Sequence, residues 1–529
     1  MRSNSLRLFI TTCIIGTSLA SCTKKLDLLP TNDITSTQVY STPAGYTLAF
    51  AKVYGSFALT GNQGPAGNGD IQGIDEGFSD FLRLYFNAQE LSTDEAVVSW
   101  GDAGLQDFHN MNWSASNPFL TGLYYRCYYQ ITLCNDFINQ ASDGKLTSRG
   151  ITGANADLIR TYRAEARFLR AFQYSAVMDL FGTGPFVTEK DVLGSVLPKQ
   201  AKRTDLFSYI ESELKAIDAS LAAPKTNQYG RADKAAAWAL LARLYLNAQV
   251  YTGTDRFADA ITYSKKVIDA GYSLISDYRW LMLADNNLNT DEFLLTINYD
   301  GLKTQSYGGT TFLTHAPVGG SMTASNYGIG GGWAGYRATK NLPDLFPDFS
   351  GASDKRSQFY TAGQNLDIKD ITLFTDGLAV TKYRNVTRSG ALGQSLDFSD
   401  IDFPLFRLAE MYLVYAEATL RGGAGGDQVL ALTYINNLRT RAYGDASGNI
   451  LPSDLTTDFI LDERARELYW EGFRRTDLIR YGKFTEGTYL WPWKGGVAGG
   501  TSVAGFRSVY PIPSADLSAN TNLVQNPGY

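Results

Sequence analysis

The stretch "RADKAAAWALLARLYLNA" at residues 231–248 decides the fold class. Trp238, Leu241 and Tyr245 recur at offsets of three and seven, which places them on one face of a helix. A second amphipathic run, "FADAITYSKKVIDAGY" at 257–272, follows at once and ends at Gly271. Glycine is the residue that closes a helix at least steric cost. Two such helices in succession make a hairpin, and each arm must bury its apolar face on a neighbour.

Further along, "FRLAEMYLVYAEATLRGG" (406–423) repeats the phase with Leu408, Met411 and Tyr415, and "DQVLALTYINNLRTRAYG" (427–444) supplies its second arm. A third hairpin is expected around "RTYRAEARFLRAFQYSAVMDLFG" (160–182). The spacing matches the first helix of a tetratricopeptide repeat, but the copies stand too far apart for a plain tandem array. The sequence therefore predicts a mainly α, tetratricopeptide-like scaffold, mostly over 120–300 and 400–485. Two stretches resist helical reading: 61–118, which opens "GNQGPAGNGDIQG", and 300–400, which holds "YGGTTFL", "GIGGGWAG" and "LFTDGLAVTKYRN". They read as long irregular loops with short strands. Ordering such loops costs entropy without building core, so they are the expected place for function.

Composition narrows the function. The 529 residues are 44% hydrophobic and 19% charged, so the chain can bury a large core. A net charge of -6 and the absence of any Lys/Arg-rich block argue against nucleic acid as a partner. Aromatic residues reach 13%, with 32 tyrosines, a bias that suits a recognition surface as well as a core.

The N-terminus reads as an export signal over 1–21: Arg2 and Arg7, the short apolar run "LFITTCIIGTSL", then Ala20, Ser21 and Cys22. Leu19-Ala20-Ser21-Cys22 has the form of a bacterial lipobox. Cys22 is then the expected lipidation site and mature N-terminus, and 22–529 is expected to form one domain. Several acyl chains anchor stably where one is marginal. Of the remaining cysteines, Cys127 and Cys134 lie seven residues apart on a helical run, about 10 Å of rise, beyond the reach of a disulfide. They read as small buried apolar groups.

Catalytic signals are few. His109 and His315 stand far apart, and neither a zinc-protease, a nucleophile-elbow nor a P-loop pattern occurs. A glycoside hydrolase with carboxylates drawn from distant positions remains an alternative on motif grounds. In "LDERARELYWEGFRRTDLIR" (461–480), Asp462 with Arg466 and Glu471 with Arg475 have the i,i+4 spacing of helix ion pairs, which suits structure better than acid catalysis. The acidic run "ADNNLNTDE" (284–292) reads as an exposed Asp/Asn-rich turn, with a structural calcium site as the alternative and no other cofactor expected. Binding has better candidates. Sugar rings offer apolar faces that stack on aromatic rings and polar edges that need Asp, Asn or Arg. Trp100, Tyr307 and Trp333 lie in the two loop regions, with Asp75 and Arg83 in "IDEGFSDFLR". Trp333 stands among glycines that give it no local packing partner.

Several stretches carry a family resemblance. The lipobox, "RAEARFLRAFQYSAVMDLFGTGPFVTE", "GRADKAAAWALLARLYLNA", "FPLFRLAEMYLVYAEA", "DERARELYWEGFRRTDLIRYGKF" and "YPIPSADLSANTNLVQNPGY" resemble the SusD/RagB family of outer-membrane nutrient-binding lipoproteins. The resemblance covers essentially the whole mature chain. Loops such as "DGLKTQSYGGTTFL", "GFSDFLRLYFNAQELSTDEA" and "YLWPWKGGVAGGTSVAGF" look most like those of its starch-binding member.

That likeness implies an arc of two Trp and one Tyr stacking along a curved α-glucan, with an Asp, an Arg and an Asn on the hydroxyls. The arc falls on Trp100, Trp333 and Tyr307, and the polar groups on Asp75 and Arg83. The Asn is not kept, and Asp102 or Ala103 occupies its place. Val98 stands where the starch binder has an additional Trp, and the segment between Phe346 and Phe374 is shorter. The family's role implies starch or maltooligosaccharides as ligand and a SusC-like TonB-dependent transporter as partner. Separate surface glycoside hydrolases supply the cargo, and the lipid anchor is the only membrane contact, at the exterior face of the outer membrane of a Gram-negative bacterium. Another glycan or a peptide is the alternative ligand. Three stacking contacts of about 1 kcal/mol each imply micromolar to millimolar affinity.

Overall fold

A computed structural model describes residues 36–529 apart from 66, 68, 192, 193 and 195. The export signal 1–21 and Cys22 lie outside the described residues. The scaffold starts with α1 (Pro43–Ala58) and α2 (Phe81–Phe86) and continues through α3 (Pro118–Gln140), α4 (Gly153–Leu180) and α5 (Arg203–Ile217). It then reaches the pair α6 (Lys234–Leu246) and α7 (Phe257–Ile268). After the short α8 (Gly309–His315) it resumes with α9 (Leu408–Leu420), α10 (Gln428–Tyr443), α11 (Thr457–Leu468) and α12 (Arg474–Arg480).

Local chemistry sets these boundaries. Asp233 accepts the backbone N–H groups of Ala235 and Ala236 at 2.8 and 3.2 Å, satisfying donors that the first turn of α6 leaves without partners. Asn117 does the same for α3, Asp427 for α10 and Thr456 for α11. Each such cap stabilises its helix by about 1 kcal/mol. Pro118 sits in the first turn of α3, where its missing N–H costs nothing.

The helices pack as successive neighbours: α3 on α4, α4 on α5, α6 on α7, α9 on α10. Helix α7 also packs on α9, so the two hairpins read from 231–272 and 406–444 stack directly although a long insertion separates them. The fold is thus the mainly α, tetratricopeptide-like scaffold with inserted loops that the periodicity implied. Two details differ. Residues 160–180 are not a hairpin in themselves but part of one 28-residue helix, α4, which makes its hairpins with α3 and α5 as partners. Helix α6 is buried on nearly every side, because α5, α7, α9 and a strand pair surround it. Of its apolar side chains Trp238 alone reaches half out, donating Nε1–H to Asp218 at 2.6 Å.

The insertion leaves the scaffold on β2 (Phe293–Ile297) and returns on β4 (Phe403–Arg407), which pair antiparallel. Within it, β3 (Tyr336–Arg337) pairs with β1 (Val97–Val98), so the two loop regions meet. The region 61–118 is less irregular than expected. Asp80 caps α2, and "FLRLYFNAQEL" contains no Gly or Pro to stop it, so the helix runs on as a π-turn over Asn87–Leu91.

The ion pairs expected along 461–480 are not the ones that form. Helix α11 ends at Leu468, Trp470 takes a left-handed φ of 62°, and Gly472 follows at 85°, so the i,i+4 register between Glu471 and Arg475 is lost. Glu471 instead pairs with Lys382 and Arg407 at 2.6 and 2.7 Å, Arg475 pairs with Asp179 at 3.0 Å, and Arg466 pairs with Glu463 at 2.7 Å in place of Asp462. Arg407 also reaches Glu467 at 2.6 Å and Glu292 at 3.1 Å, and Arg356 from the insertion reaches Glu463 at 2.7 Å. These groups are fully buried, so each needs the others. Burial alone would raise Glu467, yet Arg441, Arg407 and Arg356 hold it down at about 2. The network fixes the insertion, through Arg356 and Lys382, to the scaffold.

Cys127 and Cys134 are free and buried on α3. The run 284–292 is exposed only in part, at Asn287, Leu288, Thr290 and Asp291. Asn286 and Asn289 are buried and bond the backbone of Leu281, Asp402 and Trp280, Asp285 pairs with Arg388 at 3.2 Å, and Glu292 belongs to the buried network. Among the described residues, no helix is long and apolar enough to cross a membrane.

Candidate functional site

The β1/β3 ribbon positions both indoles. Val98 pairs with Tyr336, and Ser99 N–H donates to Gly335 O at 3.0 Å, so Trp100 leaves the ribbon opposite the segment that carries Trp333. That segment is itself pinned to the C-terminal end of α8. The N–H groups of Trp333, Gly335 and Tyr336 bond the carbonyls of His315 and Ala316 at 2.8 to 3.0 Å, oxygens that a helix end leaves without partners.

Trp100 Nε1–H donates to the carbonyl of Trp333 at 2.9 Å, and the two rings lie 6.3 Å apart with their planes tilted by 48°. Both indoles are half-buried. Behind them, Tyr336 meets the edge of Trp100 at 5.3 Å, and His315 lies under Trp333 at 4.9 Å. The glycines around Trp333 serve closeness more than freedom. A Cβ at Gly335 would overlap the Trp100 indole, and one at Gly332 would overlap the Val318 carbonyl. Trp333 therefore has packing partners, drawn from far along the chain.

Arg83 joins the remaining candidates to this pair. Its guanidinium lies 5.6 Å from the Trp100 ring centroid and 4.9 Å from that of Phe312. Its Nη1 donates to Gly77 O at 3.0 Å, closing the turn in which Asp75 accepts from Gly77 N–H at 2.7 Å, and it reaches Tyr307 O at 3.5 Å. Burial pulls Arg83 below the usual guanidinium range, while Tyr336, Asp102, Asp80 and Asp75 act in the opposite direction. Asp75 and Asp102 are both exposed. Tyr307 is 37% exposed and leans on Phe398 at 5.4 Å.

Arg83 thus links the candidates: it lies against the Trp100 ring, reaches the backbone of Tyr307 and of the Asp75 turn, and feels the charges of Asp75 and Asp102, while Trp100 holds Trp333. A cavity of about 340 Å³ between α1 and β2, lined by Phe50, Tyr54, Tyr229 and Leu295 among others, includes none of the three aromatic candidates. Val98, at the place of the additional Trp, is buried in the ribbon. Both histidines are buried, and burial pulls His109 down to about 4 and lowers His315. The sequence reading missed the supporting layer of His315, Tyr336 and Phe398. The one local signal for it was Gly335 itself, small where a large ring must lie against the backbone.

Residues 358–529 match the SusD family. Over 98% of this chain and 97% of its own, the starch-binding protein SusD of Bacteroides thetaiotaomicron is 37% identical. Among solved structures, a SusD superfamily protein of Bacteroides vulgatus superposes with a TM-score of 0.70 at 19% identity, covering 92% of this chain and 99% of its own. Surface glycan-binding protein A of Bacteroides thetaiotaomicron, solved in complex with laminarihexaose, gives 0.69 at 22% identity over 91% and 99%.

Proposed function

Because the chain belongs to the SusD family, we propose that it is a non-catalytic, surface-exposed outer-membrane lipoprotein. It binds starch and maltooligosaccharides at the Trp100–Trp333 surface and passes them to a TonB-dependent transporter.

The observation that carries this reading is the 48° tilt between two half-exposed indoles held 6.3 Å apart. An α-1,4-linked glucan curls, so successive rings present their faces at an angle, and tilted platforms stack on neighbouring sugars. A flat β-linked chain would meet one platform well and the other poorly. Tyr307 extends the curve, and Arg83, Asp75 and Asp102 supply edge contacts to hydroxyls. A few stacking contacts of about 1 kcal/mol each keep the affinity between micromolar and millimolar, which suits a protein that must release its cargo. Lipidation at Cys22 supplies the anchor.

The test is calorimetric titration with maltoheptaose, laminarihexaose and a casein peptide digest, alongside Trp333→Ala. Binding of maltoheptaose alone, lost in the variant, is the expected result. Preference for laminarihexaose or peptide would replace the ligand, and release of reducing ends from maltoheptaose would replace binding with hydrolysis.

A further inference from the structure

Between Tyr307 and Trp333 runs a segment of the insertion that the sequence reading left unassigned, "GQSLDFSD" at 393–400. It touches both ends of the aromatic surface. Phe398 lies under Tyr307 at 5.4 Å, while Leu396 O accepts the N–H of Gly330 at 2.9 Å and also faces the His315 ring beneath Trp333. Asp397 sits between those two contacts. It is exposed, a Cβ at Gly330 would lie 3.9 Å from its Oδ1, and its charge acts on His315.

Most acidic side chains around this loop are tied to protein. Asp400 accepts from Gly301 N–H and Gln394 Nε2 at 2.8 and 2.9 Å, and Asp402 from Tyr299 N–H and Tyr229 OH, each at 2.8 Å. The carboxylate of Asp397 takes no hydrogen bond or ion pair from any described residue. Only its backbone is held, its N–H donating to Ser395 Oγ at 3.1 Å. The segment is nonetheless rigidly placed. Buried Asn385 donates to Ser395 O at 2.8 Å and Gly328 O at 3.2 Å and accepts from Asp400 N–H at 3.0 Å, clamping 395–400 against the turn before Trp333. With its backbone already held, only the Asp397 side chain remains to be ordered when a ligand arrives.

We propose that Asp397 is a further ligand-binding residue of this surface, accepting hydrogen bonds from the hydroxyls of the sugar that spans Trp333 and Tyr307, and that Asn385 positions it. This rests on the glycan reading given above. With Asp75 and Asp102 it sets three carboxylates against the one guanidinium of Arg83, so the surface repels uronate-rich and sulfated chains and selects neutral glycans.

The experiment titrates wild type, Asp397→Ala, Asp397→Asn and Trp333→Ala with maltoheptaose and with an oligogalacturonate of equal length. Asp397→Ala is expected to weaken maltoheptaose binding about tenfold. Its melting temperature should stay that of wild type, since the carboxylate makes no protein bond. Asp397→Asn, which keeps one acceptor and drops the charge, should lose less and gain measurable oligogalacturonate binding. Wild-type affinity in Asp397→Ala, while Trp333→Ala loses binding, would overturn this inference and leave the glycan reading standing. Wild-type affinity in Trp333→Ala would overturn the glycan reading itself.

Discussion

The Nε1–H of Trp100 donates a 2.9 Å hydrogen bond to the backbone carbonyl of Trp333, across 233 residues of chain. One ring is thereby fastened to the backbone that carries the other, which sets their 48° tilt. Trp100→Phe keeps an aromatic face and removes the donor. Maltoheptaose affinity should fall roughly tenfold in this variant and on the order of a hundredfold in Trp100→Ala. If Phe restored full affinity by calorimetry, the bond would have no part in binding.

Gly335 gives a sharper test, because it touches no ligand in the proposed arrangement. A methyl group there would overlap the Trp100 indole, so Gly335→Ala must push the ring away or shift the ribbon. It should lose binding to about the extent of Trp100→Ala, with a changed tryptophan fluorescence spectrum. Gly331→Ala is the control: nothing lies within 4 Å of its added Cβ, and binding should be unchanged.

The buried network between scaffold and insertion predicts a stability effect without a ligand. Glu467 bonds Arg407 at 2.6 Å and Arg356 at 3.4 Å and also pairs with Arg441, so Glu467→Gln removes a carboxylate charge shared by three buried guanidinium groups. The expected cost is about 3 to 5 kcal/mol, read from urea unfolding. The same carboxyl shapes the acid limb. Held at about 2 in the fold against an ordinary value of 4.5, its contribution is complete above the ordinary value and disappears as pH falls toward 2. Wild type should therefore lose stability across that window more steeply than the variant.

The helical hairpins were legible because their apolar residues recur within one or two turns, as at Leu408, Met411 and Tyr415, all buried on α9. The stacking of α7 on α9 was legible only as a need for partners, since periodicity says which face is buried and not what covers it. The break at Trp470 was hidden because no proline marks it, and its cause is tertiary: Trp470 N–H donates to Glu95 Oε2 at 3.2 Å and Gly472 N–H to Glu90 Oε1 at 2.6 Å. The aromatic residues could be nominated one by one, from glycine-rich surroundings and family likeness. Their contact could not, because the strands that join them are two residues long and too short to show alternation. Asp397 left no pattern at all. What distinguishes it is the lack of a partner, which only coordinates reveal.

Asp402 is a group whose titration opposes that of Glu467. It stands just before β4 with one oxygen accepting from Tyr299 N–H and the other from Tyr229 OH, each at 2.8 Å, and with Asn286 bonding its backbone on both sides. Burial is the main force on it. Those two hydrogen bonds favour the ionised form, but Asp400 and Asp300 oppose it, and the carboxyl rises from 3.8 to about 7. Between those values the unfolded chain has released its proton while the fold retains it. Stability from this group is therefore fully present below the lower value and lost as pH rises through the higher one. Asp402→Asn supplies a permanently neutral side chain of nearly the same shape, its Oδ1 facing Tyr299 N–H and its Nδ2 donating to the Tyr229 hydroxyl, which can turn to accept. The variant should melt at the wild-type temperature at pH 4 and several degrees higher at pH 8, by on the order of a few kcal/mol in unfolding free energy. Calorimetric scans at the two pH values decide it. Equal melting at both would mean that Asp402 ionises in the fold as freely as in the unfolded chain.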